Sequence, residues 1–223
     1  MWAKLARVPV TFPRRGDVSV VVSPESWLCP PRWAGVVALD GAILATVPDP
    51  QLVEPLRGAL LEHAGDLAGL AAGLDAADVL GPATLAYLAA EDFAAAHDDA
   101  IEALPADHHD LRDLMTSVEK QDADESGLEE ITSSAFVLRS GPKVIAAAGY
   151  RDWLNTAAHM SVLTSPEHRG RGLARGVASA AVADALANKL LPQWRARPEP
   201  SRRVARALGF QEVGSQISIR LAR

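Results

Sequence analysis

One stretch constrains the fold more than any other: Val162-Leu163-Thr164-Ser165-Pro166-Glu167-His168-Arg169-Gly170-Arg171-Gly172-Leu173-Ala174-Arg175-Gly176. The Ser165-Pro166 pair stops the strand-forming run that ends at Thr164, because the residue before a proline is pushed out of helical geometry and proline itself has no N–H to donate. From Leu173 to Leu190 the chain is rich in alanine, with Val177, Val182 and Leu186 as larger apolar residues. Alanine is the best helix former, so this segment is expected to be a long helix. The stretch therefore reads as a strand, a basic loop with two glycines, and a helix N-terminus.

Several N–H groups at a helix N-terminus have no partner within the helix, and the dipole there is positive. Glycines let the backbone come close to a ligand, and Arg169 and Arg171 add charge. The loop thus suits an anion such as a phosphate, or it serves only to turn the chain with its arginines in solvent. It lacks the Gly-Lys-Ser/Thr ending of a P-loop. Nor does it match a dinucleotide fingerprint, since Arg175 stands where the third glycine is required.

The chain has 223 residues, 48% hydrophobic and 22% charged, which excludes disordered and fibrous classes. A net charge of −6 gives no sequence-wide attraction to nucleic acid or to an anionic membrane, so neither is an expected partner. No segment reaches the ~20 apolar residues of a membrane span. Residues 1–15 are broken by Pro9 and Pro13 before any long apolar run, and so make a poor secretory signal. The single cysteine, Cys29, cannot form an internal disulfide. A cytoplasmic location is the expectation.

Val18 to Val22 and Ala34 to Val47 read as strands, with Asp40-Gly41 as a hairpin turn. Leu52, Leu56, Leu60 and then Leu67, Leu70, Leu74 follow helical spacing, and Pro82 is expected to open a further helix through Leu85, Leu88 and Phe93. The polar, acidic ground from His97 to Asp110 suggests a boundary between an N-terminal α/β domain, residues 1–105, and a C-terminal domain, residues 106–223. His108 and His109 have no third ligand at metal-site spacing, and no metal is expected. Beyond them come a short helix around Leu111, Leu114, Met115 and Val118, a second within Glu125 to Ser133, and an antiparallel meander through 135–139, 144–150 and 158–164.

From about residue 107 to the end the chain resembles the GNAT superfamily of acyl-CoA-dependent N-acetyltransferases. The family's phosphate-binding pattern, Gln/Arg-x-x-Gly-x-Gly/Ala, is matched by Arg169, Gly172 and Ala174 after a strand ending Val162-Leu163-Thr164. Leu191 to Ala196 stands where the family has its next, parallel strand, and Leu208-Gly209-Phe210 is similar to its terminal signature. The resemblance implies an α/β fold with a mixed, mostly antiparallel central sheet flanked by helices, beside a smaller N-terminal α/β domain. It implies acetyl-CoA as cosubstrate and a primary amine as acceptor. The pantetheine would pair with Val162, Leu163 and Thr164, and the pyrophosphate would sit on Arg169, Gly170, Arg171, Gly172, Leu173 and Ala174. Attack on the thioester would need a backbone N–H near Val162 or Leu163 for the oxyanion.

The family's catalytic groups are not all present. Thr156 stands where some members carry a glutamate base, Ala205 where many carry a tyrosine acid, and Pro198 where an asparagine commonly opens the last helix. The remaining catalytic candidates are His159 on the strand, Glu125 (with Glu119 and Asp124 nearby) on the acceptor side, and Ser201, which could protonate the thiolate or contact CoA. Tyr150, Trp153 and Trp194 are candidate pocket walls, and Arg195, Arg197, Arg202, Arg203 and Arg206 candidate 3′-phosphate partners. The competing reading is a non-catalytic acyl-CoA-binding module. The N-terminal domain is expected to cover the acceptor side or to form a homodimer interface.

Overall fold

The computed structural model describes residues 1–63 and 66–221. The chain forms two compact units, one of Met1–Leu85 together with the final strand from Glu212, the other of Ala86–Gln211.

In the first unit a short helix α1 (Trp2–Leu5) precedes strands β1 (Val18–Val22), β2 (Ala34–Leu39) and β3 (Ala42–Val47). β2 and β3 form the expected hairpin, with Leu39 opposite Ala42. Its two turn residues, Asp40 and Gly41, take φ of 47° and 77°, the left-handed pair that matches the twist of the flanking strands. Helices α2 (Val53–Glu62) and α3 (Leu67–Gly73) bury Leu56, Leu60, Leu67 and Leu70 against Val20, Val36, Val47, Ile217 and Ile219. Fully burying one such side chain contributes about 1.5–3 kcal/mol. Ile217 and Ile219 belong to β10 (Gln211–Leu221), which pairs antiparallel with β2.

β4 (Ala76–Tyr87) lies on the far side of β10, giving the order β1-β3-β2-β10-β4. The helix expected to open at Pro82 is therefore a strand. Gly81 shows why: its φ is +113°, and a Cβ there would lie 2.8 Å from the Gln216 carbonyl oxygen. The close approach of β10 to glycine backbone outweighs the local helix propensity of Ala83 to Leu88, an override that a propensity pattern cannot display.

In the second unit come β5 (Glu102–Leu104), α4 (His109–Thr116), α5 (Lys120–Ser126), a 3-10 turn at Leu128–Glu130, β6 (Ala135–Ser140), β7 (Lys143–Trp153), β8 (Ala157–Thr164), α6 (Leu173–Ala187), β9 (Leu191–Ala196) and α7 (Glu199–Ala207). The strand order is β9-β8-β7-β6-β5. The pairs from β5 to β8 are antiparallel, and β9 joins β8 in parallel. α6 buries Val177, Ala178, Ala181, Val182 and Ala185 on one face of the sheet, against Ala146, Ala148 and Met160. α4 sets Leu111 and Leu114 on the other, against Val137, Ala147 and Leu163. Small alanines on both α6 and β7 let the helix lie close to the sheet.

The compact units part at Leu85/Ala86, the expected domain boundary lies near residue 105, and the last strand returns to the first unit. The acidic segment 97–110 is polar because it runs over the surface of the second unit, just after Ala96 N–H donates to Ser179 Oγ of α6 at 2.8 Å. The second helix begins at Lys120, five residues before the expected Glu125, and ends at Gly127 with φ +65°, the left-handed stop that glycine permits. Among the described residues no helix is long and apolar enough to cross a membrane.

Candidate active site

β8 and β9 are paired over three positions only, Ala157 with Leu191, Ala158 with Pro192 and His159 with Gln193. Beyond them β8 runs on to Thr164 and β9 to Ala196 without pairing to each other. The divergence opens a cleft of about 590 Å³. Val162, Leu163 and Thr164 lie on one wall, and Trp194, Arg195 and Ala196 on the other.

The direction of the free backbone groups follows from the ladder. Ser165 N–H donates to Ile145 O at 2.9 Å, so Ser165 faces β7. Residues alternate along an antiparallel pair, so Leu163 and Ser161 also spend their backbone groups on β7, while those of Val162 and Thr164 point into the gap. On the same side Thr156 O accepts from Leu191 N at 3.0 Å, which fixes the even-numbered residues toward β9. The side chains alternate as well: Val162 packs with the α6 core and Leu163 with the α4 core.

At the end of β8 the chain makes a 3-10 turn at Pro166–His168, where Ser165 Oγ and His168 Nδ1 lie 2.7 Å apart, and then enters the glycine loop. Gly170 and Gly172 have φ of +76° and +82°. Gly172 is the N-cap of α6 and provides no side-chain cap. Among the described residues the backbone N–H groups from Gly170 to Ala174 have no protein acceptor. Five adjacent donors at a helix N-terminus form a site for an anion. A Cβ at either glycine would meet open space, so glycine is required for its dihedral angles rather than for room. Thr164 Oγ1, on the cleft wall, is a buried oxygen without a partner among the described residues. A phosphate group fits these donors.

The helix α5 lines the other side of the cleft with Asp122, Glu125 and Ser126. Asp122 accepts from Arg169 Nη2 at 2.7 Å and Glu125 from Arg197 Nε at 3.1 Å. Three residues apart, both carboxylates lie on one helix face. Burial lowers the pKa of the Arg195 guanidinium, Glu130 acting in the opposite direction. On α7 Ser201 reaches the cleft, and its Oγ accepts from Trp194 Nε1 at 3.1 Å.

His159 stands where the pairing stops. Its ring stacks on Trp153 with centroids 4.2 Å apart, and Nδ1 lies 2.5 Å from Gln193 Oε1, an acceptor, which makes Nδ1 the protonated nitrogen. Burial, reinforced by the charge of Arg195, pushes its pKa down to about 3 against the opposing hydrogen bond to Gln193. His159 is thus a neutral imidazole beside the cleft and not among the residues that line it.

The aromatic candidates separate. Trp194 lines the cleft, edge-on to Phe210 at 5.4 Å, whereas Tyr150 turns to α6 and donates to Asp184 at 2.6 Å. Of the last-helix arginines, Arg202 and Arg206 pair with Glu199, while Arg203 lines the cleft. Away from the cleft, His108, His109 and Asp110 bring their ligand atoms within 4.8 Å of one another. Asp110, however, is paired with Arg139 at 2.7 Å, which lowers its pKa, and His108 Nδ1 accepts the Asp110 N–H. This is a helix cap. Asp122 is an acidic cleft residue absent from the sequence-based candidates, because its place there depends on Arg169, 47 residues away.

The GNAT acetyltransferase family model matches residues 132–216. No curated protein sequence matches the chain. Among solved structures, the chain is similar to a protein of Novosphingobium aromaticivorans assigned to the GNAT acetyltransferases, with 22% identity and a TM-score of 0.52 over 65% of each chain. It thus spans slightly less than two thirds of that protein's length. It is also similar to a GCN5-related N-acetyltransferase from Kribbella flavida, at 16% identity and a TM-score of 0.52 over 76% of this chain and 74% of that one. A GNAT-family acetyltransferase from Colwellia psychrerythraea gives 14% and 0.50 over 79% and 75%. At these identities the structures speak for the fold. The family match over residues 132–216 and the shared fold make this chain similar to the GNAT acetyltransferases, and most of the matched stretch lies in the second unit.

Proposed function

We propose that this chain is an acetyl-CoA-dependent N-acetyltransferase that moves an acetyl group to a primary amine by direct attack on the thioester. The observation that carries this reading is the loss of pairing between β8 and β9 beyond His159 and Gln193, in a cleft that Gly170, Gly172, Leu173 and Ala174 of the glycine loop also line. An extended pantetheine would complete the gap as an added strand, on the backbone groups of Val162 and the N–H of Thr164. The pyrophosphate would take the N–H groups of Gly170 to Ala174, with Arg171 adding charge. The half-buried Cys29, whose thiol burial pushes up to about 11, suits a reducing, cytoplasmic setting.

In the reaction a neutral amine forms the new N–C bond, the C–S bond breaks, one amine proton leaves for a base, and the thiolate takes a proton. Val162 N–H is the oxyanion donor in this scheme, because the N–H of Leu163 is spent on β7. Glu125 is the base, directly or through a water, since its carboxylate lines the cleft. A base works best with a pKa near the working pH. His159, at about 3, therefore orients neighbouring groups and does not carry the proton. Ser201 Oγ–H hydrogen-bonds the departing thiolate, which takes its proton from water through that hydroxyl, the hydroxyl being reprotonated in the same relay.

The test is acetyl-CoA titration by calorimetry, followed by thiol release across a library of small amines and lysine peptides. Micromolar acetyl-CoA binding with amine-dependent thiol release is the expected result. No binding at millimolar ligand would end the reading. A second reading, a non-catalytic acyl-CoA-binding module, is favoured by Thr156 and Ala205 at two family catalytic positions. Thr156 hydrogen-bonds Leu154 O in a turn, and Ala205 is buried in the core. That reading requires binding without thiol release for any acceptor.

A further inference from the structure

We propose that Asp122 is a positioning residue for phosphate recognition, acting through Arg169. The inference rests on the acetyl-CoA reading above and assigns a task to a residue outside the glycine loop. The Arg169 guanidinium has five N–H donors. One, on Nε, reaches Thr164 O at 3.3 Å, and one on Nη2 reaches Asp122 Oδ2 at 2.7 Å. Thr164, Asp122 and Arg169 all line the cleft, and Arg169 directly precedes Gly170. Held at two points, the guanidinium keeps its other donors for a ligand in the cleft.

A carboxylate near a phosphate site has two opposed effects. It repels the anion, and it fixes the arginine. The Arg169 and Asp122 side chains are 49% and 38% exposed, so water and salt screen the repulsion. The ordering of a long, otherwise mobile arginine is not screened, and pre-organisation of that kind goes directly into affinity. The second effect therefore prevails. It also explains why an acidic helix faces the basic end of the cleft.

The experiment measures acetyl-CoA affinity by calorimetry for the unaltered protein, Asp122→Asn, Arg169→Met and the double variant. S-acetylpantetheine, which has the thioester arm but no pyrophosphate, serves as a second ligand. Asp122→Asn is expected to weaken acetyl-CoA binding about tenfold, the scale of one lost charge-assisted hydrogen bond. The double variant should bind no more weakly than Arg169→Met alone, the non-additivity of residues that act as one unit. S-acetylpantetheine affinity should stay within about twofold for all four proteins. The proposal is overturned if Asp122→Asn binds acetyl-CoA as tightly as the unaltered protein or more tightly, since the carboxylate would then be neutral or a competitor. Equal losses for both ligands would also overturn it, by revealing a general defect of the fold. Failure of the unaltered protein to bind acetyl-CoA would instead remove the acetyltransferase reading itself.

Discussion

Glu125 on α5 accepts a hydrogen bond of 3.1 Å from Arg197, the residue that follows the last residue of β9. With Asp122 on Arg169, one short helix is fastened to the chain beyond both diverging strands. Exposed ion pairs contribute little to stability singly, about 0.2–1 kcal/mol. Their interest lies in where they hold α5.

Glu125→Gln keeps the size and hydrogen-bonding ability of the side chain but removes its charge and basicity. Amine-dependent thiol release should fall by about 10²–10⁴-fold, the usual range for a lost general base. Acetyl-CoA affinity, read by calorimetry, should change less than threefold. A drop in affinity with turnover intact would reverse the assignment and make Glu125 a purely structural partner of Arg197.

Gly170 and Gly172 are held at positive φ with open space around them, so the chemistry of the replacement decides the outcome. Valine at either position should cost about 1–3 kcal/mol of backbone strain and reduce acetyl-CoA binding. Asparagine, which tolerates the left-handed region, should retain most of both. Thermal melts and calorimetry on the two series give the comparison. A strict size dependence, with asparagine as damaging as valine, would contradict it.

His159 gives a pH dependence of defined sign. Its folded pKa, about 3, lies below the ordinary histidine value of 6.5, so between those values the unfolded chain binds the extra proton. Stability from the neutral, buried ring is complete above pH 6.5 and is lost as pH falls toward 3. The slope is at most one proton, about 1.4 kcal/mol per pH unit. His159→Asn should flatten the fall in melting temperature over that window, relative to the unaltered protein. Identical pH profiles for the two proteins would show that the ring titrates in the fold as it does in the unfolded chain.

The second unit was largely legible because its signals are local. Pro166 ends a strand, the alanines from Ala174 to Ala187 make a helix, and Asn155, at φ 50°, turns the meander. The glycine loop was legible for the same reason. Three things were not. β4 owes its extended form to a strand more than a hundred residues later. β10 was invisible because its partner, β2, is remote in sequence. Asp122 needed the course of the Arg169 side chain, which crosses from the loop to another helix. Each depends on a long-range neighbour, and periodicity contains no long-range information.

Gly209 tests the packing behind the Leu208-Gly209-Phe210 turn. It has φ +99°, and a Cβ would come within 2.0 Å of the Asp92 carbonyl oxygen. Gly209→Ala should therefore cost at least about 3 kcal/mol, combining left-handed strain with a backbone collision. That corresponds to a fall in melting temperature of roughly 6–12 °C for a chain of this size. A loss below about 1 kcal/mol would mean that the segment around Asp92 can move aside.

The return of β10 to the first unit has a consequence for biosynthesis. Residues 86–211 form an uninterrupted piece whose contacts are available as soon as they leave the ribosome. The first 85 residues emerge earlier but lack Ile217 and Ile219, which fill their core, until the stretch from Glu212 is made. The usual N-terminal-first order of domain folding is thereby inverted. The half of the protein made first is completed last, and nascent chains stalled or cut before residue 212 should present a finished second unit behind an unfinished first one.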